Sequence, residues 1–304
     1  MGSPHFIKKV APSLALNSRP ILNLIKESAL PLKVKLCSLG EAAGLLCTKV
    51  SKNNVFYVVS SQKNAGEDCI RCLDSVYQQR YSRALTRHVM IDDASEDSTP
   101  EMIEKWMHSH PGHNVEFIKN TTWKGGCFNN LKGFRLAPHG SIICELNGDD
   151  WLPDRGVISY LNKVYQNPDV WMTYNSLITS KGRLIKPFPI PQQVVRTNTF
   201  RENRAYGRAL HSFRQELFTH LREESLIDPE TGDFFISGDD KAFHISLQEL
   251  AGQHSRHLYR VTYVYNYSGQ DPDYGDPYDQ GNRTERIFQM PKYEPLKTLS
   301  HRLS

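Results

Sequence analysis

The chain has 304 residues, of which 39% are apolar and 23% charged, and its formal net charge is +4 at pH 7. These values are ordinary for a soluble protein of one large or two small domains, and they exclude the charge blocks of a dedicated nucleic-acid-binding protein. The sequence contains no run of about 18 apolar residues, so we expect no transmembrane segment.

Residues 1–53 are rich in Leu and Lys and contain no chemical motif, so they form an N-terminal extension of unknown role. Within them, residues 31–50 are expected to hold a helix that packs on the main domain, with an interfacial membrane role as the alternative. Six dispersed cysteines favour a reducing, cytoplasmic setting, and association with a membrane surface stays open.

From residue 54, short apolar runs alternate with amphipathic segments. The apolar runs predict strands at residues 55–60, 88–91, 115–118, 141–146 and 170–174. The amphipathic segments predict helices at residues 67–79, 99–108, 128–136 and 154–167. This alternation with short loops predicts an α/β fold, with a mostly parallel sheet flanked by helices on both faces.

Beyond residue 175 the pattern is weaker. Residues 180–200 contain three prolines and indicate a long loop, and helices are predicted at residues 213–221 and 241–250, with a strand at residues 256–267. We therefore divide the chain into residues 54–175, 176–268 and 269–304. The last part contains four aspartates between residues 269 and 282, which favour either a lid or an acidic loop.

Pairs of aspartates follow two predicted strands and begin one predicted helix. They are Asp92 with Asp93, Asp149 with Asp150, and Asp239 with Asp240. Because ligands bind beyond the carboxyl ends of parallel strands, we expect these pairs to meet at one edge of the sheet. Capping or loop solvation explains a single pair, but three pairs indicate a divalent cation and substrate phosphates, which relieve the repulsion between carboxylates.

Four stretches together resemble the family 2 glycosyltransferases of the GT-A fold. They are VSSQKNAGEDCIRCLDSVYQQRY, VMIDDASEDST, NGDDWLPD and SGDDKAF, and the resemblance covers residues 55–267. It implies a single Rossmann-like domain that binds a nucleotide sugar: residues 54–175 form the nucleotide-sugar-binding half and residues 176–268 the acceptor-binding half. It also implies metal-dependent transfer of a sugar, expected to be a hexosyl group, from a donor such as a UDP-sugar to a hydroxyl acceptor with inversion.

The resemblance also implies roles for individual residues. Asp149 is expected to bind Mn²⁺ or Mg²⁺, and Asp240, supported by Asp239, to act as general base. His211 and Arg214 are expected beside the acceptor. The residues implied in donor binding are Ser60, Ser61, Asn64, Asp92, Asp93, Lys124, Asn147 and Asp150. Among these, Asp93 would accept a hydrogen bond from the base.

Asn147 departs from the family pattern, which has a carboxylate at this position. The departure keeps a second interpretation open, a catalytically silent module that binds a glycan or a partner, which metal dependence would distinguish from an enzyme. A nucleotidyltransferase is a third interpretation, but the loop SSQKNAGED lacks the glycine-rich, arginine-bearing pattern. The acceptor, whether glycan, protein or lipid, is not specified, and a nucleic-acid acceptor is disfavoured.

Overall fold

The computed structural model describes residues 32–185, 188–267 and 277–299. The strands are Phe56–Gln62 (β1), Thr86–Asp92 (β2), Val115–Lys119 (β3), Ile142–Glu145 (β4), Met172–Asn175 (β5), Leu177–Thr179 (β6), Leu184–Ile185 (β7), Arg208–Arg214 (β8), Ser255–Leu258 (β9) and Val264–Tyr265 (β10). The α-helices are Leu32–Leu46 (α1), Asp68–Tyr77 (α2), Thr99–Ser109 (α3), Gly126–Phe134 (α4), Val157–Val164 (α5), Gln192–Thr197 (α6), Gln215–Phe218 (α7), Asp239–Ala251 (α8) and Pro277–Gln289 (α9).

The central sheet has seven strands in the order β3-β2-β1-β4-β8-β5-β9. Strands β1 to β4 pair in parallel, and β5 pairs in parallel with β9. Strand β8 runs antiparallel to its neighbours β4 and β5. The prediction of a mostly parallel sheet flanked by helices is therefore confirmed. The carboxyl ends of β1, β2 and β4 lie side by side at one edge of this sheet.

Strand β1 shows why the sheet is covered on both faces. Its neighbouring residues Val58 and Val59 are both buried, and they point to opposite faces. Val58 belongs to a core cluster with residues of α2, α3 and α5, whereas Val59 packs with residues of α4 and α8. A strand buried on both faces has apolar residues at consecutive positions, which is the pattern that predicted β1.

A three-stranded sheet, in the order β10-β6-β7, lies next to the central sheet. Trp151, which follows β4, pairs with Val264 of β10 in an antiparallel bridge. This bridge holds residues 263–266 beside the loop that leaves β4.

Three sequence predictions are corrected by the structure. The helix predicted at residues 213–221 is the end of β8 followed by the short α7. The loop predicted at residues 180–200 contains β7 and α6, and the strand predicted at residues 256–267 is two short strands, β9 and β10. Where segments are short, tertiary pairing decides the conformation more than the local pattern does.

The helix expected between residues 31 and 50 is α1. Its Glu41 accepts hydrogen bonds from the backbone N–H groups of Tyr259 and Arg260, which docks α1 beside the end of β9. Of the helices in the described residues, none is both long and apolar enough to cross a bilayer. The predicted lid falls largely on residues 269–276, which lie outside the described residues, while α9 follows them.

Candidate active site at the carboxyl edge of the sheet

The loop after β1 starts the site. Ser60 is fully buried, and its hydroxyl contacts Nε2 of His88 at 2.9 Å, so it points into the core rather than toward a donor. Ser61 is half-buried and donates to Oδ1 of Asn130 at 3.2 Å. Asn64 is exposed; its side-chain oxygen accepts from the backbone N–H of Glu96, which ties this loop to the loop after β2. The structure therefore leaves Ser61 and Asn64 at the edge and removes Ser60 from it.

The aspartates after β2 are buried and hold their surroundings together. Asp92 accepts from the hydroxyl of Ser95 at 2.5 Å and from its backbone N–H at 3.1 Å. Asp93 is 4% exposed and accepts from three donors: the Asn120 side-chain amide at 2.9 Å, and the backbone N–H groups of Lys124 and Gly125, both at 2.8 Å. Asp93 thus fixes the loop that presents the exposed Lys124, and Gly125 meets this geometry with a φ of 84°.

In the loop after β4, the adjacent carboxylates of Asp149 and Asp150 have different surroundings. Asp150 is buried; it accepts from the Tyr263 hydroxyl at Oδ2 and from the Asn266 backbone N–H at Oδ1, at 2.6 Å. Asp149 is exposed and accepts from its own backbone N–H. Asp149 therefore keeps its carboxylate toward solvent, while Asp150 supports the loop from inside.

Both carboxyls have pKa values above the ordinary range. Burial raises the pKa of Asp150 well above that range, and the neighbouring charge of Asp149 adds to it. For Asp149, surrounding protein raises the pKa although solvent reaches the side chain, and Asp68 contributes through its charge. Hydrogen bonding from the Asn147 side chain opposes the shift at Asp150. A pair like this gains from a bound cation, because the cation offsets the repulsion between the two charges.

Three residues that the sequence did not single out complete this part of the site: Asp68, Tyr263 and Asn266. Asn266 donates from its side-chain nitrogen to Asp68 at 2.7 Å while its backbone N–H serves Asp150. Tyr263, fully inside the protein, donates to Asp150. The available signal was weak: polar residues end the alternating segment 256–267, and Asp68 opens a helix near the first loop.

The helix start predicted to carry the catalytic base lies at the same edge. Asp239 and Asp240 begin α8 after Gly238, which adopts a φ of 73°. The Asp240 side chain is 44% exposed, and Lys241 contacts it at 3.4 Å. A Cβ added at Gly125, in the loop held by Asp93, would lie 3.7 Å from Cα of Ile236, just before this start. The pair Asp239 and Asp240 therefore comes shortly after Ile236, which lies beside the loop held by Asp93.

The two predicted acceptor residues lie elsewhere. His211 is 4% exposed and is stacked on His244, with ring centroids 3.2 Å apart, so it does not meet an acceptor in this structure. Arg214 pairs with Ile142 at the start of β4, at the far end of the sheet. Its guanidinium donates to the backbone carbonyls of Val170, Tyr165 and Asn167, which is a structural role.

The sequence profile of glycosyl transferase family 2 matches residues 57–222, which is more than half of the chain. No curated protein sequence matches the chain.

Solved structures share the fold at low sequence identity. TarS of S. aureus, residues 1–349 in complex with UDP-GlcNAc, is similar with a TM-score of 0.57 and 14% identity, covering 77% of this chain and 65% of that one. The mannosyltransferase PcManGT of Pyrobaculum calidifontis, in complex with GDP-Man and Mn²⁺, is similar with a TM-score of 0.52 and 19% identity, covering 84% and 70%. The chain thus spans less than two thirds of the length of this TarS structure.

Proposed function

Because the chain belongs to glycosyl transferase family 2 and is a glycosyltransferase, we propose that it moves a sugar from a UDP-sugar to a hydroxyl acceptor. We propose further that the reaction inverts the anomeric centre and depends on Mn²⁺ or Mg²⁺. One observation carries the proposal: the exposed Asp149 stands beside Asp150, whose oxygens are held by protein donors, at the edge where β1, β2 and β4 end.

The residues at this edge fit a hard divalent cation. Mg²⁺ and Mn²⁺ prefer oxygen ligands and are commonly held by one or two carboxylates together with substrate phosphates. Asp149 offers such an oxygen toward solvent. Burial raises the pKa of both carboxyls, and neighbouring negative charges, Asp68 for Asp149 and Asp149 for Asp150, add to it. When bound, the cation would neutralise charge on the departing diphosphate. Asn147 supplies an amide instead of a charge, so Asp149 is the direct ligand in this proposal.

The donor base is assigned to the loop around Asp93. A carboxylate offers about four acceptor positions, and three are filled in Asp93, which leaves one on Oδ2. That position suits the ring N–H of uracil. Ser61 and Asn64 flank the nucleoside in the proposal, and the exposed Lys124 reaches the diphosphate. The complex of TarS with UDP-GlcNAc supports a uridine donor for this fold. The complex of PcManGT with GDP-Man makes guanine the alternative base.

Asp240 is proposed as the general base. Its carboxylate is half-exposed at the start of α8, so an acceptor hydroxyl can reach it. It would take the proton of that hydroxyl as the oxygen attacks the anomeric carbon from the face opposite the diphosphate, which inverts the centre. Residues 176–268, with α8 among them, are proposed as the acceptor-binding half; the acceptor is a glycan, protein or lipid hydroxyl.

The test measures thermal stability with a panel of nucleotides. We expect UDP to raise the melting temperature in the presence of Mn²⁺ or Mg²⁺, and not in chelator, with smaller shifts from GDP, ADP and CDP. Slow hydrolysis of one UDP-sugar, followed by UDP release, then identifies the sugar. If no nucleoside diphosphate shifts the melting temperature with either cation, the proposal is wrong.

A further inference from the structure

A second cluster of metal-ligating side chains lies behind the active-site edge. It consists of Glu145 at the end of β4, His211 on β8 and His244 on α8. Glu145 and His211 are direct partners in the β4–β8 register. Nε2 of His244 contacts Oε2 of Glu145, and Nδ1 of His211 lies 3.6 Å from the same oxygen. One ligand atom from each residue lies within 4.8 Å of the others.

The cluster is buried and its polar atoms are not satisfied. Glu145 is 6% exposed, His211 4% and His244 0%. Within the described residues, Nε2 of His211 and Nδ1 of His244 have no hydrogen-bond partner, while Oε2 of Glu145 and Nε2 of His244 are in close contact with each other. Buried polar atoms are nearly always hydrogen-bonded, so two unpartnered imidazole nitrogens beside a carboxylate oxygen that faces both rings indicate a missing ligand.

The surroundings orient Glu145 toward the two histidines. The Asn130 side-chain amide donates to Oε1 of Glu145 at 2.9 Å, and the Ser61 hydroxyl donates to Asn130. Oε1 is thereby occupied, and Oε2 is left facing His211 and His244. Carboxylates that bind metals are commonly fixed in this way by a neighbouring donor.

We propose that Glu145, His211 and His244 bind one transition-metal dication of the Zn²⁺ type, at a site separate from Asp149. Two imidazoles and one carboxylate suit Zn²⁺, Co²⁺ or Fe²⁺ rather than Mg²⁺ or Ca²⁺. Ligand atoms around tetrahedral zinc lie about 3.3 Å apart, close to the separation of His211 from Glu145. Binding requires the stacked rings to turn, so that both lone pairs point at the ion.

Such an ion would position the active site rather than react. Asp240 lies one turn before His244 on α8, and Asp149 lies four residues after Glu145. An ion held by these three residues ties the helix start that carries Asp240 to the loop that carries Asp149.

Metal analysis of the full-length protein tests the proposal. After expression with added zinc and dialysis against a weak chelator, we expect about one zinc ion per chain in the wild type. Glu145→Gln and His244→Gln are each expected to lower occupancy about tenfold or more. His257→Gln is the matched control, because His257 is a buried histidine whose two ring nitrogens also have no hydrogen-bond partner in the described residues. It should keep the zinc.

Two further measurements separate this proposal from the proposed function and cover variants that fail to fold. Asp149→Asn should retain the zinc and lose the response to UDP and Mn²⁺, which separates this proposal from the proposed function. If the Gln variants do not fold, cobalt-loaded wild type should show the visible absorption of tetrahedral Co²⁺. Wild type that holds no transition metal and is not stabilised by Zn²⁺ or Co²⁺ overturns the proposal, and a proton shared between Glu145 and His244 then explains the cluster.

Discussion

The hydroxyl of Tyr263 donates a hydrogen bond to Oδ2 of Asp150, and this contact joins the segment before β10 to the loop after β4. Asp150 is almost fully buried beside the exposed Asp149, so its negative charge depends on the donors around it. Tyr263 and the Asn266 backbone N–H are those donors. The position of Asp149 therefore depends on residues more than a hundred positions away in the chain.

Tyr263→Phe removes one of these donors and leaves a buried carboxylate oxygen unsatisfied. We expect the free energy of unfolding to fall by about 1–3 kcal/mol. The Mn²⁺ dissociation constant, measured from the UDP-dependent thermal shift, should rise about 10–100-fold, because support of a ligating loop is lost. Tyr165→Phe is the control: its hydroxyl bonds Ser212 away from this edge. An equal loss of Mn²⁺ affinity in both variants would contradict the assignment.

The raised pKa of Asp150 predicts a pH dependence of stability. Burial is the main cause of the rise, followed by the charge of Asp149. A carboxyl with a higher pKa in the folded state stabilises the protein below its unfolded pKa, and this contribution is lost as pH rises through the folded pKa. In chelator, the free energy of unfolding of wild type relative to Asp150→Asn should therefore decrease from about pH 4 toward neutrality.

Urea denaturation at several pH values measures this difference, and comparison with Asp150→Asn removes the contributions of other groups. Saturating Mn²⁺ should flatten the trend, because the cation compensates the two charges. A relative stability of the wild type that increases with pH in chelator would show that the pKa of Asp150 is not raised.

The sequence predicts the parts of this site that depend on local patterns, but not the contacts between residues far apart in the chain. The sequence predicts Asp149 and Asp93 at this edge because each follows an apolar strand, and strand ends of a parallel sheet converge. Glu145 gave a signal of its own, a charged residue inside an apolar run. The sequence singled out His211 only as an acceptor residue, and its contacts with Glu145 and His244 could not be predicted locally, since β8 enters the sheet between β4 and β5 against the chain order. Tyr263 likewise becomes a partner of Asp150 only through the pairing of β10.

Gly148→Ala tests the close approach of β1 to the loop after β4. A Cβ at this position would lie 2.5 Å from Oε1 and 2.7 Å from Cβ of the buried Gln62. The loop must shift, and we expect a loss of about 1–3 kcal/mol in the free energy of unfolding, with weaker Mn²⁺-dependent UDP binding. Gly44→Ala is the control, because nothing lies within 4 Å of its Cβ position and it sits in α1. It should leave UDP binding unchanged and stability equal or slightly higher.

Asp240→Asn separates donor binding from catalysis. The amide keeps the size of the side chain but cannot accept the proton of the acceptor hydroxyl, so transfer should fall about 10²–10⁴-fold. Because Asp149 and the loop around Asp93 are untouched, the thermal shift with UDP and Mn²⁺ should equal that of the wild type. Two quantities are measured: the kcat of sugar transfer, and the melting temperature in the presence of UDP and Mn²⁺.

The matched control for this change is Asp233→Asn, an exposed carboxylate in the loop before α8. It carries the same change of charge and should leave both transfer and UDP binding at wild-type values. If Asp240→Asn transfers sugar at the rate of Asp233→Asn, Asp240 is not the general base. If it instead loses the UDP shift, Asp240 holds the donor, and the drop in kcat would then follow from poor donor binding rather than from loss of a proton acceptor.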